Sequence, residues 1–332
     1  MSDRLLVKDI GEHGLLARLQ RFCPADVVGD DGAILSLTPQ QSLVVTTDVL
    51  VDEVHFSDRT TSPFDVGWRS VAANLSDLAA MGANPLGITV GLSLPGTKNV
   101  AWVEAVYQGM SACLQTYNTY LVGGDICRSQ VVSLAITAFG EVSPQRAICR
   151  HQARPGDVII VTGMHGLSRG GLELLLKPNL GETLTAQEAK RLLEAHQRPK
   201  PRLDVLPYLA SISEQIAIAG MDSSDGLKDA IEQICQRSSV GAIIDCAKIT
   251  VFSGLTKLVD DETAWSWVLD GGEDFELILC LPEIYALDLL EKLDEDAAII
   301  GSITEAPQIK LIDFNTESNF SSTQCSKRFQ HF

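Results

Sequence analysis

Hydrophobic and polar residues alternate in short blocks that predict an ordered series of strands and helices. Leu43-Val-Val-Thr-Thr47 is a β-branched run typical of a buried strand, and Leu86 to Leu94 forms a second one. Between them, Ser62-Pro63-Phe64-Asp65 offers a cap, a proline and an acid at the start of a helix that Gly82 ends. The other elements predicted for this first α/β unit are a helix at about 99–117 and strands at 120–122 and 131–139.

Polar sequence with two prolines interrupts this pattern between Ser143 and Pro155. An apolar strand from Asp157 to Thr162 follows, with a glycine-rich turn and a helix from about Ser168. The later predicted elements are a helix that begins near Ser224 and strands at 240–245, 275–281 and 297–303. A chain of 332 residues is long enough for two domains. We therefore expect an α+β (α/β) protein with two domains, residues 1–145 and 146–332.

The charge balance narrows the function classes. The chain has 26 Lys and Arg against 43 Asp and Glu, for a net charge of −17, which argues against nucleic acid and anionic membrane surfaces as partners. It has no apolar stretch of membrane-spanning length and no signal-peptide pattern, and its eight cysteines show no C-x-x-C spacing. We expect a reduced, cytoplasmic protein without a zinc site, which can bind phosphate groups only through metal cations.

Acidic residues cluster at turns and near strand ends. The clusters are Gly29-Asp-Asp-Gly-Ala33, Thr46-Thr-Asp48, Asn74-Leu-Ser-Asp77, Gly123-Gly-Asp125, Asp222-Ser-Ser-Asp-Gly226 and Gly271-Gly-Glu-Asp274. Each alone is better explained by turn or helix-cap chemistry. As a set, in a chain poor in basic residues, they favour several Mg²⁺ ions that bridge a polyphosphate, because hard cations prefer oxygen ligands.

Other candidate motifs are weaker. The chain has neither a P-loop nor the loops of protein kinases. The turn from Val161 to Gly171 could hold an anion at a helix N-terminus, but a tight strand-to-helix turn is the better explanation. Taken singly, His55 is typical of a surface or capping residue, Tyr107 of core packing and Arg150 of a solvated charge.

The motifs together, in this order along nearly the whole chain, resemble those of the thiamine-monophosphate kinases, a family of the aminoimidazole ribonucleotide synthetase superfamily. The most specific parts of the resemblance are the block from Asn74 to Ala83 and the closing Phe329-Gln-His-Phe332. Arg154-Pro-Gly-Asp157 and Leu121-Val-Gly-Gly-Asp125 add to it. The resemblance implies two aminoimidazole ribonucleotide synthetase-like domains with an ATP and metal cleft between them, and a homodimer formed through the sheet of the first domain.

The implied activity is Mg²⁺-dependent, direct in-line transfer of the γ-phosphate of ATP, the co-substrate, to thiamine monophosphate, which yields thiamine diphosphate. No side chain is expected to act as a catalytic acid, base or nucleophile, because a phosphate acceptor is already nucleophilic at neutral pH. The alternatives are another ATP-dependent synthetase of the same superfamily, a metal-dependent phosphohydrolase and a non-catalytic nucleotide sensor. A selenophosphate-type synthetase would need a reactive Cys and Lys near the N-terminus, whereas Cys23 precedes Pro24 and Ala25.

The resemblance also assigns residues by motif. The implied Mg²⁺ ligands are Asp31, Thr46, Thr47, Asp48, Asp77 and Asp125 in the first domain and Asp222 and Asp225 in the second. The implied ATP contacts are Tyr107, Gly124, Asp125, Arg150 and Ser224. The implied contacts with thiamine monophosphate are His55, Glu273 and Phe329.

Overall fold

The computed structural model describes residues 5–24, 27, 32–313 and 316–319. Asp31 and Phe329 lie outside the described residues. The chain divides into two units, Met1–Leu78 with Asn84–Val142 and Ala79–Ala83 with Ser143–Phe332. The domain boundary that we place after residue 145 stays a prediction.

The first unit is built on a four-stranded sheet with helices. Its elements are α1 (Val7–Leu19), β1 (Ser42–Val51), α2 (Pro63–Ala80), β2 (Asn84–Leu94), α3 (Val100–Thr116), β3 (Leu121–Arg128) and β4 (Ser133–Val142). The strand order is β1-β4-β2-β3, in which β2 and β3 run parallel and the other neighbours antiparallel. The predicted strands and helices of this half are therefore present, and the structure adds α1.

Two glycines bring α2 and α3 into close backbone contact. A Cβ atom on Gly67 would lie 1.9 Å from the carbonyl oxygen of Val106, and one on Gly109 would lie 1.8 Å from that of Phe64. No other residue fits at either position without moving a helix. This contact fixes α2, which carries Asn74 and Asp77, against the rest of the first unit.

The second unit is built on a seven-stranded sheet. Its elements are β5 (Val158–Val161), α4 (Leu167–Leu176), α5 (Ala186–Gln197), α6 (Leu206–Ser213), β6 (Ala219–Asp222), α7 (Leu227–Ser238), β7 (Gly241–Asp245), α8 (Ser253–Leu258), α9 (Asp261–Asp270), β8 (Leu277–Leu281), α10 (Glu283–Leu290), β9 (Ala298–Thr304), β10 (Ile309–Asp313) and β11 (Thr316–Asn319). The strand order is β11-β10-β7-β9-β5-β8-β6, with only β10 and β7 parallel among these neighbours.

Both faces of this sheet are covered by apolar side chains. In β8 every residue is buried, and Ile278 and Cys280 belong to one hydrophobic cluster while Leu277, Leu279 and Leu281 belong to another. A strand that is buried on both faces reads as a continuous apolar run rather than an alternating one. This explains why the sequence between Phe275 and Leu281 predicts a strand without showing alternation.

Three features differ from the sequence expectations. Asp48 lies inside β1 and not at its end, because the strand continues to Val51. Gly124 and Asp125 lie inside β3, although their motif predicts a turn after a strand. Asp222 ends strand β6, and the helix expected near Ser224 begins at Leu227. Within the described part of the chain, no helix has the length and apolar character needed to cross a membrane.

Candidate functional site

Side chains from β1 and α2 meet on the helix-covered face of the first sheet. The hydroxyl of Thr46 donates a hydrogen bond to the carboxylate of Asp77. The backbone N–H of Asp48 donates to the side-chain oxygen of Asn74 at 3.2 Å, and the Asn74 amide donates to the carbonyl of Ser70 at 2.9 Å. Thr46 and Asp48 share this face because side chains alternate along a strand. We call Thr46, Asp48, Asn74 and Asp77 the β1–α2 cluster.

The β1–α2 cluster offers only oxygen atoms to a ligand, from two carboxylates, a hydroxyl and an amide. Such a donor set fits Mg²⁺, which is commonly held by one or two carboxylates together with water and substrate phosphate. Among the residues that the structure describes, no three His, Cys, Asp or Glu side chains come together closely enough to form a metal site by themselves. The cluster is therefore suited to a metal that arrives with phosphate oxygens.

Two predicted metal ligands lie on the opposite face of the same sheet. Thr47 shares a hydrogen bond of 2.9 Å with the hydroxyl of Thr137 on β4. Asp125 is exposed and pairs in register with Gly91 on β2, and Gly91 pairs with Ala135 on β4. This register places Asp125 on the face that bears Thr47, so the side chains of these two residues do not join the β1–α2 cluster, and their role as ligands stays a prediction.

Gly124 has a steric reason to be glycine. A Cβ atom there would lie 2.2 Å from the carbonyl oxygen of Val90 on the neighbouring strand. The close approach explains why the glycine pair occurs within β3. Because Gly124 has no side chain, the strand backbone is exposed at this point. Contact of Gly124 with ATP stays a prediction.

The described residues predicted to bind ligands elsewhere in the first unit are His55 and Tyr107. The Nδ1 atom of His55 accepts a hydrogen bond of 3.1 Å from the backbone N–H of Val51, which fixes the ring and leaves Nε2 as the protonated nitrogen of the neutral form. Tyr107 is buried in α3 with its ring 5.8 Å from that of Phe22, and burial raises its pKa. The structure thus places Tyr107 in the core, and its contact with ATP stays a prediction.

In the second unit, the loop after β6 and the loop before β8 are bonded to each other. We call residues 222–226 and 271–275 the paired loops. The Ser224 hydroxyl donates to the buried carboxylate of Asp222 at 3.0 Å, and the N–H of Glu273 donates to the carbonyl of Ser224 at 2.8 Å. Asp225 is exposed beside them. The structure therefore brings together four of the predicted residues, Asp222, Ser224, Asp225 and Glu273.

The second of the paired loops has a strained backbone. Gly272, Glu273 and Phe275 have φ angles of 67°, 57° and 55°, and a Cβ atom on Gly272 would lie 2.7 Å from the carbonyl oxygen of Ser224. Positive φ costs a non-glycine residue about 1–3 kcal/mol and persists only where the surrounding structure holds it. Such strain is concentrated at functional sites, which favours a role for Glu273.

Sequence reasoning missed a network of charged side chains that contacts the first of the paired loops. Arg202 donates to the carboxylate of Glu276 at 2.6 Å and to both oxygens of Asp204 at 3.0 Å. Burial alone would lower the pKa of Arg202, but these two carboxylates more than offset it, so the pKa lies above its ordinary value. The N–H of Glu276 donates to the Ser223 hydroxyl at 3.1 Å, and the N–H of Ser223 donates to the Glu276 carbonyl at 2.9 Å. The one sequence signal for this network was an acidic residue, Glu276, directly before the apolar strand β8.

The glycine-rich turn before α4 holds an anion that belongs to the chain itself. The carboxylate of Asp274 accepts hydrogen bonds from the N–H groups of Gly166 and Ser168, at 2.7 and 2.8 Å. Burial raises the pKa of Asp274, and these two N–H groups oppose the rise. The alternative of a tight strand-to-helix turn is thus the better interpretation, since the helix N-terminus is already occupied.

His165 lies in the same turn and gives a stability prediction. It is 2% exposed, its Nε2 has no hydrogen-bond partner among the described residues, and burial lowers its pKa from 6.5 to about 4 against an opposing bond with the Gly163 backbone. The unfolded chain takes up a proton below pH 6.5 while the folded chain does not, so stability is lost as the pH falls from there. At ~1.4 kcal/mol per pH unit, we expect His165→Gln to remove about 2 kcal/mol of the loss between pH 7.5 and 5.0, measured by urea unfolding.

The control for this prediction is His151→Gln, because His151 is exposed in a short helical turn of the same unit. It should leave the pH dependence of the unfolding free energy unchanged. An unaltered pH dependence in His165→Gln would contradict the prediction.

Arg150 lies in a short helical turn on the surface of the second unit. Its guanidinium donates to the side-chain oxygen of Gln233 on α7 at 2.8 Å, and its carbonyl accepts from the Ser238 hydroxyl at 2.8 Å. Helix α7 begins directly after the first of the paired loops. Contact of Arg150 with ATP stays a prediction. It also stays a prediction that the ligands of the two units act on the same substrate.

The chain matches two family models. The model of the AIR synthase related protein, N-terminal domain, matches residues 29–142, and that of the C-terminal domain matches residues 154–314. The chain is 49% identical to the thiamine-monophosphate kinase of Synechococcus elongatus, over all of this chain and 99% of that protein.

Solved structures give the same result. The thiamine-monophosphate kinase of Stenotrophomonas maltophilia matches with a TM-score of 0.77 and 32% identity, over 90% of this chain and 95% of that one. AaThiL complexed with AMPPCP and TMP matches with a TM-score of 0.73 and 30% identity, over 96% of this chain and 99% of that one. The expected two-domain fold is confirmed, and the chain belongs to the AIR synthase related family and, within it, to the thiamine-monophosphate kinases.

Proposed function

We propose that this chain transfers the γ-phosphate of ATP to thiamine monophosphate and releases ADP and thiamine diphosphate. The observation that carries this function is the full-length identity of 49% with a thiamine-monophosphate kinase, together with the likeness to AaThiL complexed with AMPPCP and TMP. The oxygen-rich β1–α2 cluster and the paired loops supply the kind of residues that phosphoryl transfer between two polyanions needs.

Mass spectrometry of the products tests this function. Mg-ATP incubated with thiamine monophosphate should give ADP and thiamine diphosphate, and ATP should stay intact when thiamine monophosphate is omitted. Release of ADP and phosphate without the acceptor would indicate a phosphohydrolase. Bound but unchanged ATP in both samples would indicate a nucleotide sensor.

The reaction is proposed to depend on Mg²⁺. When bound, Mg²⁺ neutralises phosphate charge and polarises the transferred phosphoryl group. Asp48 and Asp77 would hold it in the first unit, with Thr46 and Asn74 fixing the geometry through their hydrogen bonds. In the second unit Asp222 and Asp225 are the proposed ligands.

The chain's other residues orient the two substrates. Ser224 is proposed to contact ATP, while His55 and Glu273 are proposed to contact thiamine monophosphate. The bond between Glu273 N–H and the Ser224 carbonyl ties the ATP and acceptor contacts of the second unit together. We propose direct in-line transfer without a phosphorylated enzyme, because proximity of two bound substrates can supply about 7–11 kcal/mol of the barrier.

We also propose that two copies of the chain associate through the first sheet. Leu43, Val45 and Val49 on β1 are 48%, 52% and 48% exposed, and they point to the face opposite the β1–α2 cluster. Sheets normally bury an apolar face, and exposed apolar patches mark association sites. A second copy of the same face is the proposed occupant.

Free thiols at the seven described cysteines support the proposed cytoplasmic location.

The dimer is tested by a charge on this face. We expect Val45→Lys to halve the molar mass measured by light scattering, because two unpaired lysines would be buried in a self-complementary interface. The control is Val54→Lys, because Val54 is equally exposed at 52% but lies in the turn after β1. Wild-type mass in Val45→Lys, or a monomeric wild type, would contradict the proposed interface.

A further inference from the structure

Helix α4 begins without a cap of its own. Gly166, at its N-cap position, has φ of 85° and no side chain that could accept the first N–H groups of the helix. Asp274, which is 108 residues away in the chain, accepts the N–H of Gly166, and it accepts the N–H of Ser168 with its other oxygen. The cap of α4 is therefore supplied by the second of the paired loops.

Asp274 fixes the second of the paired loops to α4, and Glu273 fixes it to the first of the paired loops. The N–H of Glu273 donates to the carbonyl of Ser224, so the backbone of residues 273–274 is fixed between α4 and the first of the paired loops. The positive φ of Glu273 and Phe275 shows that this segment would not keep its conformation unaided. Loss of the Asp274 contact would release the segment on the α4 side and shift the backbone that carries the Glu273 side chain.

We propose that Asp274 is a positioning residue for the phosphate acceptor, which holds the Glu273 carboxylate in place by capping α4. The proposal rests on the proposed function, in which Glu273 contacts thiamine monophosphate. Asp274 touches neither substrate in this assignment, because both of its oxygens are directed to backbone N–H groups. It acts on acceptor binding through Glu273 alone.

A double-mutant cycle on the full chain tests the proposal, with KM for thiamine monophosphate, KM for ATP and kcat measured from product formation. We expect Asp274→Asn to raise KM for thiamine monophosphate roughly tenfold, with less than about a threefold change in KM for ATP. In the Glu273→Gln background the same substitution should change KM for thiamine monophosphate by less than about twofold. Asp274→Ala, which removes both accepting oxygens, should raise KM for thiamine monophosphate at least as much as Asp274→Asn, which keeps one of them.

The matched control is Asp157→Asn. Asp157 is a buried acid of the same unit whose carboxylate accepts the N–H of Arg154 at 2.8 Å, far from the paired loops in sequence. Whatever its effect on thermal stability, it should not separate the two KM values. An equal rise of both KM values in Asp274→Asn and Asp274→Ala, or an undiminished effect in the Glu273→Gln background, would overturn the proposal. No effect of Glu273→Gln on KM would instead show that the substrate assignment of Glu273 is wrong.

Discussion

Asp77→Asn is expected to lower kcat by about a thousandfold or more while the folded structure is retained. Asp77 is one of the two carboxylates in the β1–α2 cluster, and asparagine keeps an oxygen that can accept the hydrogen bond from Thr46. The charge that would hold Mg²⁺ is lost, and ~4 kcal/mol of transition-state stabilisation corresponds to about three powers of ten in rate. Steady-state formation of thiamine diphosphate measures the effect.

The melting temperature of Asp77→Asn tests the same assignment independently of activity. Two nearby carboxylates repel each other until a cation arrives, so removal of one charge should leave the melting temperature of the metal-free protein equal or higher. A lower melting temperature would indicate a structural role for the charge of Asp77.

Asp65→Asn is the matched control, because Asp65 lies at the other end of α2. Its carboxylate accepts a hydrogen bond of 2.6 Å from Ser62, and its N–H donates to the Ser62 hydroxyl at 3.2 Å, which caps the helix. This variant should keep its kcat and lose about 0.3–1 kcal/mol of stability, because it removes a negative charge from the first turn of the helix while Ser62 still caps it. Near wild-type kcat in Asp77→Asn would remove the metal assignment of the β1–α2 cluster.

The β1–α2 cluster could be predicted from the sequence because local patterns fix its parts. The β-branched run at residues 43–47 makes a strand, and alternation then places Thr46 and Asp48 on one face. Ser62-Pro63 starts α2, and helical spacing places Asn74 and Asp77 on adjacent turns of one side. The apolar residues around them bury the same side, so the polar residues must meet.

Glycine-rich motifs were harder to place. Gly123-Gly124 predicts a turn because glycine is the usual turn residue. In the structure the pair lies inside β3, where a Cβ atom on Gly124 would meet the carbonyl of Val90. The sequence cannot distinguish a glycine that is needed for a turn from one that is needed for a close backbone approach.

Strand β6 and the Asp274 cap could not be predicted from local sequence. Ala219-Gly-Met-Asp222 contains no β-branched residue, and it becomes a strand because it pairs with β8, more than fifty positions further along. Asp274 and Ser168 are likewise joined only by the fold. Both features depend on contacts between distant segments, and these are the contacts that a single sequence does not display.

Removal of Mg²⁺ should abolish measurable ATP binding by the wild-type protein. The chain carries a net charge of −17, and the predicted phosphate-binding regions of both units are lined by Asp48, Asp77 and Asp222. A polyanion without its cation is repelled by such a surface. Isothermal titration calorimetry should show heat of binding for ATP with excess Mg²⁺ and none with EDTA, and added Mg²⁺ should restore it.

The direction in which salt changes the affinity for ATP distinguishes repulsion by the carboxylates from phosphate binding by basic residues. If repulsion prevents binding, raising the ionic strength in EDTA screens it and can only improve the weak affinity of free ATP, since the Debye length falls from about 10 Å at 0.1 M to about 3 Å at 1 M. If basic residues held the phosphates, salt would weaken binding instead. Arg150→Gln is the informative variant, because Arg150 is the basic residue assigned to ATP and its guanidinium already donates to Gln233. Tight binding in EDTA that falls with salt and is lost in Arg150→Gln would transfer the phosphate-binding role from the carboxylates to that arginine.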